Sequence, residues 1–144
     1  MASPEHSQPT DAEYRSLAHF RAALRRFLAF SERTAQQHGV TPAQHQLLLA
    51  TRGLTVDLDR PPSTGELADY LQLKPHSATE LINRAIANGL VERHDDEHDR
   101  RRTLVTATDQ GRDVLHAITQ SHRDELRQLR REVERHLSAL DHAR

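Results

Sequence analysis

Hydrophobic residues recur at spacings of three and four in the N-terminal part of the chain, which predicts an amphipathic helix. The run begins after Thr10 and Glu13, which have the spacing of a capping box, and it continues until Gly39. Its apolar positions are Tyr14, Leu17, Phe20, Leu24, Phe27, Leu28 and Phe30. Because all three phenylalanines lie here, the helix needs a partner for its apolar face. Residues 1–9 are polar with two prolines, and we predict a disordered tail there.

A second helix is predicted to begin at Thr41, since a hydroxyl residue followed by Pro42 suits a helix start. It carries three consecutive leucines towards Gly53. Residues 54–62 contain charged residues and end in two prolines, so we predict a loop over this stretch.

Residues 63–108 predict two short helices, a turn and a hairpin. Ser63 and Glu66 form another capping box, Pro75 suits the first position of the next helix, and Gly89 is placed to end it in a left-handed conformation. The apolar positions of the two helices are Leu67, Ala68 and Leu71, then Ala78, Leu81, Ile82, Ala85 and Ile86. Strand-like runs at 90–94 and 102–107 flank a charged tip. This order is that of a winged helix-turn-helix.

Thr108 is predicted to cap a last helix, whose apolar stripe continues nearly to the C-terminus. The stripe consists of Val114, Leu115, Ile118, His122, Leu126, Leu129, Val133, Leu137 and Leu140. A bend near Ser121 is compatible with this pattern and is left open. A small winged lobe cannot cover so long a stripe, so we expect this helix to pack with the N-terminal helix and with the same pair from a second subunit.

The predicted fold class is therefore mainly α with a small β-hairpin wing. Four segments make it up: a disordered tail over 1–9, an N-terminal dimerisation helix over 10–39, a winged helix-turn-helix lobe over 40–108, and a C-terminal dimerisation helix or helices over 109–144.

Composition narrows the function. The chain of 144 residues has no cysteine, which excludes disulfides, thiol redox sensing and cysteine-ligated zinc. Its start lacks the apolar segment of a signal peptide and no run reaches membrane-spanning length, so we expect a cytoplasmic protein. A net charge of −1 means that any DNA binding must come from locally concentrated charge.

Several short motifs resemble the MarR family of transcriptional regulators over roughly residues 11–140. The motifs are Gly65-Glu66-Leu67-Ala68, Ile82-Asn83-Arg84, Gly89-Leu90-Val91, Asp99-Arg100-Arg101, and Ala107-Thr108 with Gly111. The resemblance implies a triangular homodimer with interleaved terminal helices. It also implies two winged motifs on a pseudo-palindromic operator of double-stranded DNA, and often a small effector in a crevice beside the dimer helices.

DNA contacts are predicted on the outward face of the second short helix and on the wing, because such a helix presents its N-terminal turns to the major groove. The predicted contacts are Lys74, His76, Ser77, Thr79, Arg84, Arg100, Arg101 and Arg102. A cation such as Lys74 at a helix N-terminus opposes the helix dipole by about 0.3–1 kcal/mol, and a docked phosphate would reverse that cost. The alternative is that these are solvated surface residues.

Two acidic residues lie among these positions. Glu80 departs from the basic or polar residue that the resemblance favours; it can accept from a cytosine amino group, or pair with Arg84 one turn later, and we expect the pair. Asp99 has the spacing to hold Arg101 extended, and the resemblance assigns Arg101 to the minor groove and Asp99 to orienting it. Acidic residues outnumber basic ones in the hairpin, which without the resemblance would indicate a solvated loop.

Eleven histidines raise the question of a metal site, but no pair shows convincing ligand spacing with a carboxylate companion, so we predict no metal and no cofactor. His19, His45 and His122 are candidates for binding an anionic effector. The chain has no Gly-rich phosphate loop, cysteine nucleophile or recognisable nucleophile motif, and we predict that it is not an enzyme.

The leading hypothesis is a homodimeric transcriptional repressor that binds an operator and is released by a small-molecule effector. The alternative is a helical dimerisation or adaptor protein with a winged-helix fold that does not read DNA. The acidic hairpin and the near-neutral charge favour this alternative.

Overall fold

The computed structural model describes residues 8–141, and the side chains of residues 8–138. Five helices and two strands follow one another in this part of the chain. They are α1 (Asp11–Gln37), α2 (Pro42–Leu58), α3 (Thr64–Tyr70), α4 (Pro75–Ala87), β1 (Val91–Asp95), β2 (Thr103–Ala107) and α5 (Asp109–Asp141). The predicted fold class, mainly α with a two-stranded wing, is confirmed. Of the predicted tail, residues 1–7 lie outside the described residues.

Capping boxes start three of the helices as predicted. At α1 the amide of Thr10 donates to Glu13 Oε2 over 2.6 Å and the amide of Glu13 donates to Thr10 Oγ1 over 3.2 Å. The same reciprocal bonds join Thr41 with Gln44 at α2 and Ser63 with Glu66 at α3. Each box satisfies two amides that the helix itself leaves unpaired. The residue types at these spacings therefore determined where the helices begin.

The loop predicted over residues 54–62 is wrong in its first half, because α2 passes through Gly53 and ends at Leu58. A glycine inside a helix costs only about 1 kcal/mol relative to alanine, and packing overrides it. Here Thr51 is buried, and Leu54 packs against the hydrophobic core. Asp59, in a left-handed conformation with φ of 53°, ends the helix instead.

The chain forms two compact units, which we describe separately. The central lobe comprises residues 32–120, and its core lies between the inner faces of the lobe's helices and the hairpin. The largest fully buried side chains of this core are Leu47, Leu48, Leu67, Ile82, Leu90, Val91, Val105 and Ile118. The strands β1 and β2 pair antiparallel, with Val91 opposite Ala107 and Asp95 opposite Thr103.

A close backbone approach inside the central lobe requires glycine at position 111. A Cβ at Gly111 would overlap the carbonyl oxygen of Leu90 and lie 3.2 Å from Leu48 Cδ2. The hydroxyl of Thr108 stabilises the same close approach, since it donates to the Gly89 carbonyl over 2.6 Å and accepts from the Gly111 amide over 3.0 Å. The Thr-x-x-Gly step thus seats the start of α5 against the base of β1.

The terminal unit comprises the described residues 8–31 and 121–141, from α1 and α5. Its buried residues, among those whose side chains are described, are Ser16, Ala23, Ser31 and His122. Ala23 is the one apolar member of that set, so the unit has very little apolar core of its own. Residue 121 lies inside α5, where the sequence left a bend open. Within residues 8–141, no helix combines the length and apolarity needed to cross a membrane.

Candidate nucleic-acid interface

The polar face of α4 is open to solvent, as the sequence pattern predicted. Ala78, Ile82 and Ala85 are buried and so fix the helix against the core. The residues that this leaves exposed are His76, Ser77, Thr79, Glu80, Asn83 and Arg84. Lys74 is the N-cap residue, and it is extended with no side-chain hydrogen bond to the helix. The first amides of α4 are consequently not satisfied by a side-chain cap, which is the arrangement in which a phosphate can bind a helix start.

Hydrogen bonds limit what this face can offer a partner. Thr79 Oγ1 donates to the carbonyl of Pro75 over 3.0 Å, which leaves its lone pairs as acceptors. Glu80 Oε1 lies 3.2 Å from His76 Nε2, so the predicted pairing of Glu80 with Arg84 is wrong. His76 and Arg84 each lie one turn from Glu80, on opposite sides, and the Glu80 carboxylate is directed to His76. Arg84 is left exposed and has no ion pair with any other described residue.

Arg93 on β1 joins this surface, although no motif of the sequence predicted it. Its Nη2 donates to Asn83 Oδ1 over 2.5 Å, which links the wing to the middle of α4. The amide nitrogen of Asn83 then remains as the donor that faces outward. Ten residues separate the two positions in the chain, and the pairing exists because β1 runs beside α4. The charge pattern of the sequence therefore did not predict the contact between Arg93 and Asn83.

The tip of the wing presents Arg101. Its side chain is 93% exposed, and Asp99 holds its base. Asp99 Oδ1 accepts from the Arg101 amide over 3.0 Å and from Arg101 Nε over 3.4 Å. The contact that the Asp-x-Arg spacing predicted is therefore present, and its role on DNA stays a prediction. Arg100 is also exposed, beside a surface cavity of about 650 Å³ that it shares with Asp95, Asp96 and Glu97.

Arg102 is placed differently from the other two arginines. Its side chain is 37% exposed, and its Nη2 lies 3.5 Å from Glu66 Oε1 at the start of α3. Arg60 approaches the same carboxylate with both of its terminal nitrogens, at 2.7 and 2.9 Å. The hydrogen bond from Arg60 is the main reason that the pKa of Glu66 falls from 4.5 to about 2. The DNA contact predicted for Arg102 stays a prediction.

Three carboxylates of the hairpin have partners within the hairpin itself. Asp96 is buried, and its Oδ1 accepts from the His98 amide over 2.9 Å. Asp99 faces Arg101, and Glu92 lies 3.6 Å from His94. The ion pair with Arg101 offsets the charge of Asp99, whereas a backbone amide leaves Asp96 its charge, so a count of charges overstates the repulsion of a phosphate backbone only at the tip of the wing.

The three histidines predicted for an effector belong to different units of the chain. His19 and His122 belong to the terminal unit, and His45 is buried on α2 in the central lobe. His122 Nε2 lies 2.9 Å from Ser31 Oγ, with Phe27 and Phe30 edge-on to its ring. On α1, Ser31 is twelve residues beyond His19, or about 18 Å along the axis at 1.5 Å per residue. Their effector role stays a prediction.

His19 has its own contacts at the other end of the terminal unit. Its ring stacks on His136 at a centroid distance of 4.9 Å, and Arg15 Nε lies 3.4 Å from its Nε2. Among the described residues, no group of three or more histidines and carboxylates is placed to hold a metal ion.

Comparison with known sequences agrees with the resemblance seen in the motifs. Residues 38–102 match the sequence model of the MarR family. The transcriptional activatory protein BadR of Rhodopseudomonas palustris is 38% identical over 88 residues, which are 61% of this chain and 49% of BadR. The chain thus aligns with about half the length of that relative.

Solved structures share the fold. AbsC, a MarR family transcriptional regulator from Streptomyces coelicolor, has a TM-score of 0.71 at 19% identity over 93% of this chain and 95% of AbsC. A mutant MarR from E. coli complexed with operator DNA has a TM-score of 0.68 at 20% identity, with 84% of each chain covered. A mutant MepR from S. aureus bound to an oligodeoxyribonucleotide has a TM-score of 0.65 at 20% identity over 92% of this chain and 99% of MepR. Two of these folds were therefore solved on nucleic acid.

Proposed function

Because this chain belongs to the MarR family, we propose that it is a transcription regulator that binds double-stranded DNA as a homodimer. The observation that carries the proposal is the central lobe's combination of an open polar face on α4 with a 93% exposed arginine, anchored by Asp99, at the wing tip. A helix of this kind fits the major groove, and an arginine on a narrow hairpin fits the adjacent minor groove.

In this proposal the residues of the lobe divide by task. Base edges meet the first two turns of α4, through His76, Ser77 and Thr79. Phosphates meet the cations around them, namely Lys74, Arg84, Arg100 and Arg102. Arg101 enters the minor groove, and Asp99 keeps its side chain extended. Phosphate contacts provide salt-dependent affinity, whereas contacts to base edges provide sequence preference.

The terminal unit supports the dimer. Tyr14, Leu17, Leu28, Leu126 and Leu137 are all more than a third exposed there. So many exposed large apolar side chains beside so small a buried core favour a second copy as the partner. Two lobes related by a two-fold axis would then meet two half-sites of a pseudo-palindrome. Since its partner is chromosomal DNA, the proposal includes a cytoplasmic location.

The proposed action is repression, released when a small effector shifts the dimer to a geometry that no longer matches successive grooves. A second candidate is activation, which the name of the relative BadR, a transcriptional activatory protein, favours. A reporter fused to the bound promoter decides between the two. Deleting the regulator raises expression under repression and lowers it under activation.

DNA binding is tested by fluorescence anisotropy on a labelled duplex from upstream of the protein's own gene, with a scrambled duplex as control, across a range of salt concentrations. We expect preferential binding that weakens steeply as salt rises. Arg101→Ala should lower the affinity and reduce the salt slope by about one. Equal, weak and salt-insensitive binding to both duplexes would instead favour the adaptor protein that reads no DNA.

A further inference from the structure

We propose that Glu66 is the positioning residue that fixes the wing, and with it Arg101, in the orientation that DNA requires. The inference rests on the proposed function, because it concerns how the wing of a DNA-binding lobe is held. Glu66 itself lies on α3, away from the tip, and would not touch DNA. Its carboxylate contacts three residues of the central lobe, namely Arg60 and Ser63 just before α3 and Arg102 at the wing.

The first set of contacts is local. Glu66 Oε1 accepts from the amide of Ser63 over 3.0 Å, and the amide of Glu66 donates to Ser63 Oγ over 3.1 Å. This capping box starts α3 and needs only an acceptor at position 66, so that a glutamine would serve as well.

The second contact is the two-pronged bond from Arg60, whose Nη1 and Nη2 lie 2.7 and 2.9 Å from the two carboxylate oxygens. Parallel bonds of this kind restrict orientation as well as distance. Both side chains are about a third exposed or less, so water weakens the pair less than it weakens a surface ion pair. Arg60 Nη1 also donates to the carbonyl of Pro61 over 3.1 Å, which fixes the segment just before α3.

That segment is attached to the wing along β2. The amide of Val105 donates to the carbonyl of Pro62 over 2.9 Å, and Ser63 forms an isolated bridge with Leu104. Residues 62 and 63 therefore pair with β2 in the manner of a short third strand. The carboxylate of Glu66 anchors this segment through its hydrogen bonds with Ser63 and Arg60.

The third contact reaches the tip. Arg102 Nη2 lies 3.5 Å from Glu66 Oε1, and Arg102 is the residue directly after Arg101. The backbone of Arg102 closes the tip, since its carbonyl accepts from the Asp96 amide over 3.1 Å and its amide donates to the Asp99 carbonyl over 3.0 Å. Fixing Arg102 thus fixes the loop that carries both Asp99 and Arg101.

The side chain of Arg101 is 93% exposed, with Asp99 as its partner in the loop. Its direction is set by the backbone on either side, and Arg102 is the side that is tied to the body of the lobe. If Glu66 loses its charge, the capping box can persist while the two arginines lose a charged acceptor. The wing should then sample more orientations, and Arg101 should spend less time in the one that fits the groove.

The test uses Glu66→Gln in the full-length protein, with Glu134→Gln as the matched control. Glu134 pairs with Arg130 on α5, so the control removes one exposed Glu–Arg pair that belongs to the terminal unit. The first measurement is amide hydrogen exchange of residues 99–106 without DNA. We expect faster exchange in Glu66→Gln, unchanged exchange in the control, and unchanged far-UV circular dichroism in both.

The second measurement is a double-mutant cycle with Arg101→Ala on a DNA duplex that the wild-type protein binds. Glu66→Gln should weaken binding about tenfold, which corresponds to one charge-assisted hydrogen bond. Arg101→Ala should then cost less binding free energy in the Glu66→Gln background than in the wild type, because Arg101 on a mobile wing already contributes less to binding. A purely structural role for Glu66 would leave the cost of Arg101→Ala the same in both backgrounds.

Arg102→Gln is the second variant, since it removes the tip contact and keeps the bond between Arg60 and Glu66. It should accelerate exchange at the tip as Glu66→Gln does. Unchanged exchange in both variants would overturn the proposal, and so would a strictly additive cycle. If the wild type bound no DNA, the proposed function would fail, whereas the exchange experiment would still decide whether Glu66 holds the wing.

Discussion

Glu80 is the single acidic residue of α4, and in the proposed complex with DNA its carboxylate is an acceptor on the exposed face of that helix. A carboxylate only accepts hydrogen bonds, and the Thr79 hydroxyl has already given its proton to Pro75. Asn83, by contrast, has its oxygen occupied by Arg93 and offers its amide nitrogen. In the proposed complex, the acceptors of Thr79 and Glu80 suit bases with an amino group in the major groove, cytosine or adenine, whereas the amide nitrogen of Asn83 suits acceptors such as those of guanine.

Glu80→Gln should relax this preference. A glutamine can donate as well as accept, so a base that presents acceptors becomes acceptable where an amino group was preferred, and discrimination at that base pair should fall by about 1–3 kcal/mol. Binding to any DNA should also strengthen, because a negative charge near the phosphates is removed. Competition binding with duplexes that differ at single base pairs measures both effects.

Glu92→Gln on β1 is the control for Glu80→Gln, since it removes one negative charge from the same lobe and lies on the wing. It should leave the base preference unchanged. An identical preference profile for wild type and Glu80→Gln would mean that Glu80 does not face the bases.

At the scale of single residues, the sequence predicted contacts that are close in the chain and missed distant ones. Asp99 and Arg101 are two positions apart, and their bond follows from that spacing. Glu66 and Arg102 are separated by 36 positions, and only the fold brings them together. Glu80 shows the limit even locally, because His76 and Arg84 were both within reach and the spacing did not choose between them.

Two glycines show how the elements are fitted together. Gly111 at the start of α5 has no room for a side chain, because a Cβ would overlap the Leu90 carbonyl. Gly53 lies inside α2 and has nothing within 4 Å of the place where a Cβ would be. Helical packing thus requires glycine at one position and merely tolerates it at the other.

Gly111→Ala should destabilise the protein by about 1–3 kcal/mol or more, as expected when a group is forced into a filled site. Gly53→Ala should stabilise it by about 0.4–1 kcal/mol, because the unfolded chain loses freedom and the helix loses nothing. Urea unfolding followed by circular dichroism compares the two. Equal effects of the two substitutions would contradict the close approach of α5 to β1.

The start of α3 should respond to acid. The pKa of Glu66 falls from 4.5 to about 2, mainly through the hydrogen bond from Arg60. A carboxyl whose pKa is lower in the folded state contributes stability that is complete above its unfolded pKa and is lost as the pH falls through the folded value. The stabilisation from Glu66 should therefore be complete above pH 4.5 and lost as the pH approaches about 2.

Unfolding of wild type and Glu66→Gln across that range measures this contribution. The wild type should be the more stable at neutral pH, and the difference should shrink as the pH falls from about 4.5 towards 2. A difference that stays constant over the whole range would show that the charge of Glu66 does not stabilise the fold.

Element boundaries followed from caps more than from glycines. Thr10, Thr41 and Ser63 each start a helix where their side chains bond to the third residue of that helix. The predicted end of α2 near Gly53 was wrong, because the packing of Thr51 and Leu54 continues the helix past that glycine. Burial of that kind depends on neighbours from the rest of the chain, and a local pattern does not contain it.

For the whole molecule, the terminal unit is the part that favours the proposed dimer. Ala23 is the one buried apolar side chain among its described residues, while Leu17 is 58% and Leu126 is 48% exposed. At about 25 cal/mol for each Å² of apolar surface, covering several such side chains is a sizeable stabilisation. The periodic stripe on α5 predicted this need from sequence, but the stripe does not separate core positions from positions that would line an effector crevice, because apolar helix positions serve both.

Leu126→Glu should weaken dimerisation, because a charge would be buried without a partner in the proposed interface. Val56→Glu is the matched control, since Val56 is 67% exposed on α2 in the central lobe. Sedimentation equilibrium should show a larger dissociation constant for Leu126→Glu and the wild-type value for Val56→Glu. A wild-type protein that is monomeric at micromolar concentration would contradict the proposed dimer.

The central claim, a dimer that reads DNA sequence with two winged lobes, is tested most directly by selecting bound duplexes from a random pool and sequencing them. We expect enrichment of a two-fold pseudo-palindrome whose half-sites are centred about one helical turn, or a multiple of it, apart. Arg101→Ala should weaken the enrichment at the minor-groove positions that flank the half-sites. A pool that stays random after repeated rounds, or an enriched motif without two-fold symmetry, would contradict the account.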